Sequence, residues 1–461
     1  MTAVFVAGYA GIIVEEGLGL SKAAVALILA AGLWSIRATA EGLEALDLEM
    51  GSALGEVSAV IFFLLGAMTV VEVVDSHQGF KVITQSLRPA SRTQLLAAVV
   101  GVTFAMSSVL DNLTTTIVMV ALLNKLCPEP ETRRFLGAAV VVAANAGGAW
   151  TPIGDVTTTM LWIHGQISTA ATMRDLLLPS AVSVAVPVAA WALTAPEITS
   201  REPLLLTSSA SPTASSSSSS GHSSSEGAAA AASAAGPGPG ATGSAGSGLE
   251  AAPPRSNLVL SVGLGSLLMV PVLRAWAGLP PHMGMLACLG FLWLVTDAIH
   301  FGEGDRRHLT VSQALKRVDS EAVLFFTGVL LAVAALDKAG LLRELAEALS
   351  AALPRQELVA GVIGLASAVV DNVPLVAATM GMYDMADYPK DSDLWQLIAY
   401  CAGTGGSLLV IGSAAGVTLM GMDRGVSFGW YARRITPWAT VGYLAGLGTY
   451  VAQQQLMALG G

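Results

Sequence analysis

Asn145-Ala146-Gly147-Gly148-Ala149-Trp150-Thr151-Pro152-Ile153-Gly154-Asp155-Val156-Thr157-Thr158-Thr159 is an apolar stretch with a glycine pair, a proline and a further glycine at its centre. Apolar residues continue on both sides, so the spacing predicts a membrane helix over 135–163 that breaks near its middle. Such a break frees backbone carbonyls and turns two half-helix ends toward one place, the construction that transporters use for ions. Asp155 puts a carboxylate there, and Asn145, Thr157 and Thr158 add neutral oxygens. Close helix packing by small residues would account for the glycines but leaves the acid without a role.

About 260 residues further on, Gly403-Thr404-Gly405-Gly406-Ser407-Leu408-Leu409-Val410-Ile411-Gly412-Ser413 keeps the glycines and has Ser413 where the first stretch has Asp155. Two more landmarks recur in the same order with nearly the same offset. Ser107-Ser108-Val109-Leu110-Asp111-Asn112 matches Ser367-Ala368-Val369-Val370-Asp371-Asn372, and Phe62-Phe63 with Gly66 matches Phe325-Phe326 with Gly328. The chain therefore reads as two related halves, 1–200 with N-terminal spans and 257–461. Between them, residues 201–256 are Ser, Ala, Gly and Pro, too poor in large apolar groups to pack, and read as a flexible linker.

Composition points the same way. Of 461 residues 53% are apolar and only 12% charged, with a mean hydropathy of +0.65. The apolar runs are helix-length and do not alternate, which favours membrane helices over a barrel. Candidate spans are 3–14, 22–36, 57–74, 94–124, 135–163, 177–195, 257–275, 284–299, 320–336, 357–382, 396–421 and 435–453, of which 94–124, 135–163, 357–382 and 396–421 are interrupted. The expected fold is an all-α membrane protein of about 10–12 transmembrane segments in two inverted repeats, each with a re-entrant helical hairpin and a broken helix. The start of the chain, with no basic residue before Lys22, reads as a first span rather than a secretory signal.

Loop charge bears on orientation. The flanks of the first Asp-Asn segment, 75–92 and 124–134, carry Lys81, Arg88, Arg92, Lys125, Arg133 and Arg134, whereas the second flanks, 337–357 and 383–394, carry four basic and eight acidic residues. By the positive-inside rule the first faces the cytoplasm and the second faces out.

Asp111 is the only charge between Arg92 and Lys125, and Asp371 the only one between Glu357 and Asp384. A lone carboxylate at membrane depth costs at least ~2.5 kcal/mol on insertion scales, so each marks a functional hairpin tip rather than an ordinary turn. With no Lys or Arg in the cores of the interrupted segments, oxygen-rich surroundings suit a hard cation such as Na⁺. The same acids can carry protons, because burial favours the neutral form of a carboxyl group. Competition of Na⁺ and H⁺ for Asp111 and Asp155 would couple the two fluxes. Glu72 is a further candidate on the proton path, or else a residue at the membrane face beside Asp75 and His77. His164 reads as interfacial, and Trp162, Trp191 and Trp438 as interface anchors. Cys127, Cys288 and Cys401 are too scattered for a disulfide framework or a zinc site. A net charge of −10 without a basic patch excludes a nucleic-acid partner, and the lack of a phosphate-binding G-x-x-x-x-G-K-[ST] loop excludes direct use of ATP.

The segments around Asp111-Asn112, Asn145 to Thr158, Asp371-Asn372 and Gly403 to Gly416 resemble those of NhaD-type sodium/proton antiporters, in the wider ion transporter superfamily that includes arsenite pumps and dicarboxylate carriers. The resemblance covers nearly the whole chain outside the linker. It implies ion-site roles for Asp111, Asn112, Asn145, Asp155, Thr157, Thr158, Ser367, Asn372 and Ser407, beside Asp371 and the possible contributors Glu72 and Ser413. It implies exchange of Na⁺, or Li⁺, for H⁺, no enzymatic activity and no cofactor. The bilayer and the two ions are the expected partners, with room for a homodimer. The linker looks like a green-algal feature and would place the chain in a chloroplast envelope; a bacterial member would sit in the plasma membrane. The alternatives are an anion carrier or arsenite permease on the same scaffold, which Asp111 and Asp155 disfavour, and a structural membrane subunit, which the repeated hairpins and breaks disfavour.

Overall fold

The computed structural model describes residues 1–13, 21–41, 43–80, 91–199, 255–301, 309–353, 355–423 and 425–460; residues 201–254 of the expected linker lie outside them, and its last residue, Ser256, already begins a helix. The described residues form twenty helices and no strand. The first half holds α1 (Thr2–Ile13), α2 (Lys22–Glu41), α3 (Leu43–Ser76), α4 (Arg92–Ser107), α5 (Asn112–Leu126), α6 (Pro130–Ala149), α7 (Val156–Ile163), α8 (Thr169–Thr194) and α9 (Pro196–Thr199). The second holds α10 (Ser256–Ala277), α11 (Pro281–Ile299), α12 (Val311–Ala314), α13 (Ser320–Lys338), α14 (Leu341–Ala352), α15 (Gln356–Ala366), α16 (Asn372–Met382), α17 (Asp393–Gly405), α18 (Ala414–Met422), α19 (Phe428–Arg434) and α20 (Thr436–Gly460).

Six of these helices, α2, α3, α8, α10, α11 and α13, are long and apolar enough to cross a membrane. The helices on either side of the two Asp-Asn segments are not. At 1.5 Å per residue, α15 and α16, with 11 residues each, reach only about 16 Å into a hydrocarbon core of about 30 Å. The four interrupted spans are thus pairs: α4 with α5, α6 with α7, α15 with α16, and α17 with α18.

Packing between the halves is crosswise. α2 lies against α13 and α11 against α3, while α3 meets α13, α6 meets α17 and α8 meets α20. α3 with α13, α6 with α17 and α8 with α20 join counterparts in the sequence repeat, while α2 with α13 and α11 with α3 exchange partners between the halves. Ala53, Glu56 and Val60 of α3 share a cavity with Asp337, Val333 and Leu330 of α13. Farther along α3, Phe63, Ala67 and Val71 share another with Phe326 and Ala322, so these two counterpart helices run in opposite directions. Small residues let the pairs close: a Cβ on Gly328 of α13 would collide with the backbone of Ala26 in α2.

The structure departs from the sequence expectation at several places. α3 begins at Leu43 rather than near residue 57, and its charged first turns are held by Glu49 pairing with the buried Arg37 at 2.7 Å. The amphipathic α14 is too charged to register as a span. Trp162 and Trp191 are not interface anchors: each is 1% exposed, Trp162 set edge-on to Phe63 and beneath the Arg274 guanidinium, Trp191 edge-on to Phe135. Their large apolar area is better used inside, between helices. The three cysteines are buried and free, as scattered packing residues should be.

Candidate ion site

The four short helices that follow the breaks and tips each start on a predicted site residue. Asp111 caps α5, Asp155 caps α7, Asp371 caps α16 and Ser413 caps α18. In each case the side-chain oxygen accepts from a backbone N–H of the first turn, the standard use of Asp or Ser at a helix start. The breaks exist because the glycines permit close approach. A Cβ on Gly148 would lie 2.5 Å from the Gly154 oxygen, and one on Gly406 would lie 3.0 Å from the Gly412 oxygen. Each chain crossing is thereby drawn into a tight loop, 150–155 in one half and 406–413 in the other.

Asp155 is the centre of the arrangement. It is 2% exposed, and its Oδ1 accepts from Thr157 N at 3.0 Å. Its Oδ2 faces amide donors from both Asp-Asn segments: Asn112 Nδ2 at 3.2 Å and Asn372 Nδ2 at 3.4 Å. Asn112 Nδ2 also donates to Asn145 Oδ1 at 2.8 Å, and Asn145 Nδ2 donates to Ser413 Oγ at 2.9 Å. One buried network therefore joins Asn112, Asn145, Asp155, Asn372 and Ser413 across the two halves. Thr158 Oγ1 donates to the Asp155 carbonyl at 3.0 Å, whereas the buried Thr157 Oγ1 has no hydrogen-bond partner among the described residues. A buried orphan hydroxyl beside a carboxylate is an oxygen left for a ligand.

The other predicted residues take different places. Asp111 lines a cavity of about 60 Å³ together with Asn112 and Asp155, but both its oxygens are engaged by Thr114, through the backbone N–H at 2.8 Å and the hydroxyl at 2.7 Å. Asp371 lines a separate cavity of about 80 Å³ with Ser413, Lys22 and Tyr9, and its Oδ1 accepts from Val373 N at 3.0 Å. The tips meet through their asparagines, then, while their aspartates face different cavities. Ser367 Oγ donates to the Ala402 carbonyl at 2.9 Å, tying a tip to α17, and Ser407 Oγ donates to the Thr404 carbonyl at 2.7 Å. Glu72 stands apart, 25% exposed and paired with Arg317 at 3.4 Å.

Two contributors were not singled out from sequence. Ser107 Oγ donates to the Ala144 carbonyl at 2.6 Å, the first-half counterpart of the Ser367 contact; its match to Ser367 in the repeat was the available signal. Gly403 occupies the position that corresponds to Asn145, and a Cβ there would come within 3.9 Å of Asp155 Oδ2. Where the first half has an amide, the second leaves space next to the acid.

Comparison with known proteins gives the family. The model of the citrate transporter family matches residues 9–403. The chain is 51% identical to Sodium/proton antiporter 1 of Arabidopsis thaliana over 99% of this chain and 72% of that protein. It is 47% identical to Sodium/proton antiporter 2 of the same plant over 98% and 99%. The Na(+)/H(+) antiporter NhaD of Halomonas elongata is 28% identical over 96% of this chain and 85% of its own length.

Proposed function

We propose that this chain, which belongs to the citrate transporter family and within it to the NhaD-type sodium/proton antiporters, carries its exchanged ion on Asp155. It is a multi-pass integral membrane transporter that exchanges Na⁺ for H⁺. The observation that carries the assignment of the site is the single buried carboxylate onto which both halves aim an amide.

The chemistry follows from what the neighbours offer. Asn112 and Asn372 turn their N–H groups to the carboxylate and compensate its burial. When Na⁺ arrives, the amides rotate to offer oxygen, and with Thr157 Oγ1 and Asp155 they replace part of its water shell. A proton on Asp155 removes the charge that attracts the cation, and the site releases it. Asp111 contributes from the rim of the same cavity, as a second negative charge that steadies the ion while its own oxygens cap α5. Ser367 holds its tip in place, and Ser407 the loop of the second break.

The halves form inverted repeats with re-entrant tips. The crosswise packing, the opposite run of α3 and α13, and helices too short to span all support this reading. Single cysteines at the exposed positions Glu131 and Asp387 should then react with impermeant reagents from opposite faces. The compartment is a chloroplast envelope, supported by the similarity to plant proteins and by the linker's composition; fractionation of cells expressing the full chain tests it.

The deciding experiment is Asp155→Asn in proteoliposomes, with insertion verified and Na⁺-driven proton movement read by a pH-sensitive dye. The expected result is loss of exchange to background. Normal exchange in this variant would end the assignment of Asp155.

A further inference from the structure

A third cavity, of about 270 Å³, lies between α3, α7, α13 and α16. It has room for several water molecules, each occupying about 30 Å³. Its polar lining comes from three separate stretches: Glu56 on α3, His164 and Gln166 at the end of α7, and Asp337 and Lys338 on α13. Gln166 is 6% exposed, and its Oε1 has no hydrogen-bond partner among the described residues. A buried amide oxygen with nothing to accept from is a feature that proteins seldom keep without a ligand or water to satisfy it. Asp337 packs against Gly381 of α16, whose missing side chain leaves the carboxylate its place.

Between this cavity and Asp155 stands an apolar collar. Val57, Val60, Met160 and Leu330 line the cavity's inner wall and pack with Leu64 and Val373, all buried. Val373 follows Asn372 directly, and Leu64 lines the small cavity that contains Asp155. The collar is thus one residue layer thick and touches the ion site on its far side. At the far end of α3 from Glu56, Arg317 is held by Glu72 and by Ser76 at 2.9 Å.

We infer that the Glu56–Asp337–Gln166 cavity is an entrance station that holds a partly hydrated monovalent cation before the collar admits it to Asp155. The inference rests on Asp155 as the exchange site and adds the route by which Na⁺ reaches it. Two carboxylates raise the local cation concentration, the amide oxygen supplies a neutral ligand, and the waters remaining on the ion fill the rest of the volume. The acidic flank 383–394 begins beside Met385 at the rim, so the potential falls toward the opening from outside as well. Lys338 opposes this field. Its presence gives the inference a sign test, because removing an attracting charge and removing a repelling one must act in opposite directions. Dewetted apolar constrictions gate other pores, and the collar has the composition for that role.

The test measures the apparent KM for Na⁺ in oriented proteoliposomes, with Na⁺ presented at one face and then at the other. Glu56→Gln and Asp337→Asn should each raise KM by about threefold to tenfold for Na⁺ given at the cavity's face. Lys338→Gln should lower it, and Glu56→Asp and Asp337→Glu should restore it. The effect should be confined to that face. Equal shifts from both faces, no shift from either, or a Lys338→Gln shift in the same direction as the acid variants would overturn the inference. None of these outcomes resembles failure of the Asp155 assignment, which would appear as exchange persisting in Asp155→Asn.

Discussion

The two broken crossings share a backbone plan and differ in almost every polar atom. Asp155, Asn145, Thr157 and Thr158 of the first correspond to Ser413, Gly403, Ala415 and Gly416 of the second. The hairpin tips are the reverse case, keeping Ser107 and Ser367, Asp111 and Asp371, and Asn112 and Asn372. Residue identity is therefore retained at the Asp-Asn segments and given up around the breaks, although all four positions Asp111, Asp155, Asp371 and Ser413 still cap a helix. Two carboxylates facing each other across the centre would repel in the ion-free state at close range. Across the two breaks there is one acid, Asp155, with amide partners from both halves.

The comparison predicts what happens when the crossings are made alike. Asp155→Ser copies the second crossing into the first and should abolish Na⁺-dependent proton movement, the largest effect expected. Gly403→Asn copies the first into the second. Its side chain would enter the space beside Asp155, where even a Cβ sits 3.0 Å from that of Ala149, and the amide should occupy the ion's position. A rise in the KM for Na⁺ of at least about tenfold is expected, in line with a contact worth 1.4 kcal/mol or more. If Gly403→Asn exchanges like the unaltered protein, the vacancy is not used by the ion.

At the symmetric tips the effects should be smaller and matched. Asn112→Ala and Asn372→Ala each remove an amide that sits on Asp155 Oδ2 and whose oxygen is the proposed ligand; losing one neutral ligand, at about 0.5–1.5 kcal/mol, should weaken Na⁺ affinity by about twofold to tenfold. A large effect at one and none at the other, read from the Na⁺ dependence of exchange, would show that the halves are unequal at the tips too. Smallest of all should be Glu72→Gln. This residue is part of a half-exposed pair with Arg317, a type worth at most about 1 kcal/mol, and exchange should stay within about threefold of normal.

Sequence carried the tips and breaks clearly, because a lone Asp or a Gly-Gly-x-x-x-Pro run in an apolar stretch has few alternative readings. It was silent where the reason is tertiary. That Asp111 spends its oxygens on Thr114 while Asp155 receives both asparagines depends on how two halves meet, and neither spacing nor composition encodes it. The early start of α3 was hidden because Asp47, Glu49 and Glu56 lower hydropathy, although Arg37 compensates one of them. The entrance cavity was invisible for a similar reason: Glu56, Gln166 and Asp337 lie in three distant parts of the chain. Trp162 and Trp191 have the composition of interface anchors and the placement of core residues.

The crosswise packing also sets a timetable for biosynthesis. The indole of Trp34 in α2 donates to the carbonyl of Leu331 in α13, a partner 297 residues later. At synthesis rates of about 5–20 residues per second, α2 waits roughly 15–60 s in the bilayer before that partner exists. During that interval the first half presents unfilled, glycine-lined grooves to lipid and to any other nascent helix. Late assembly of this kind exposes the newly made first half to quality-control proteases, and Gly328→Leu, whose side chain would keep α13 from closing on Ala26, should prolong that exposure and lower the amount of mature transporter.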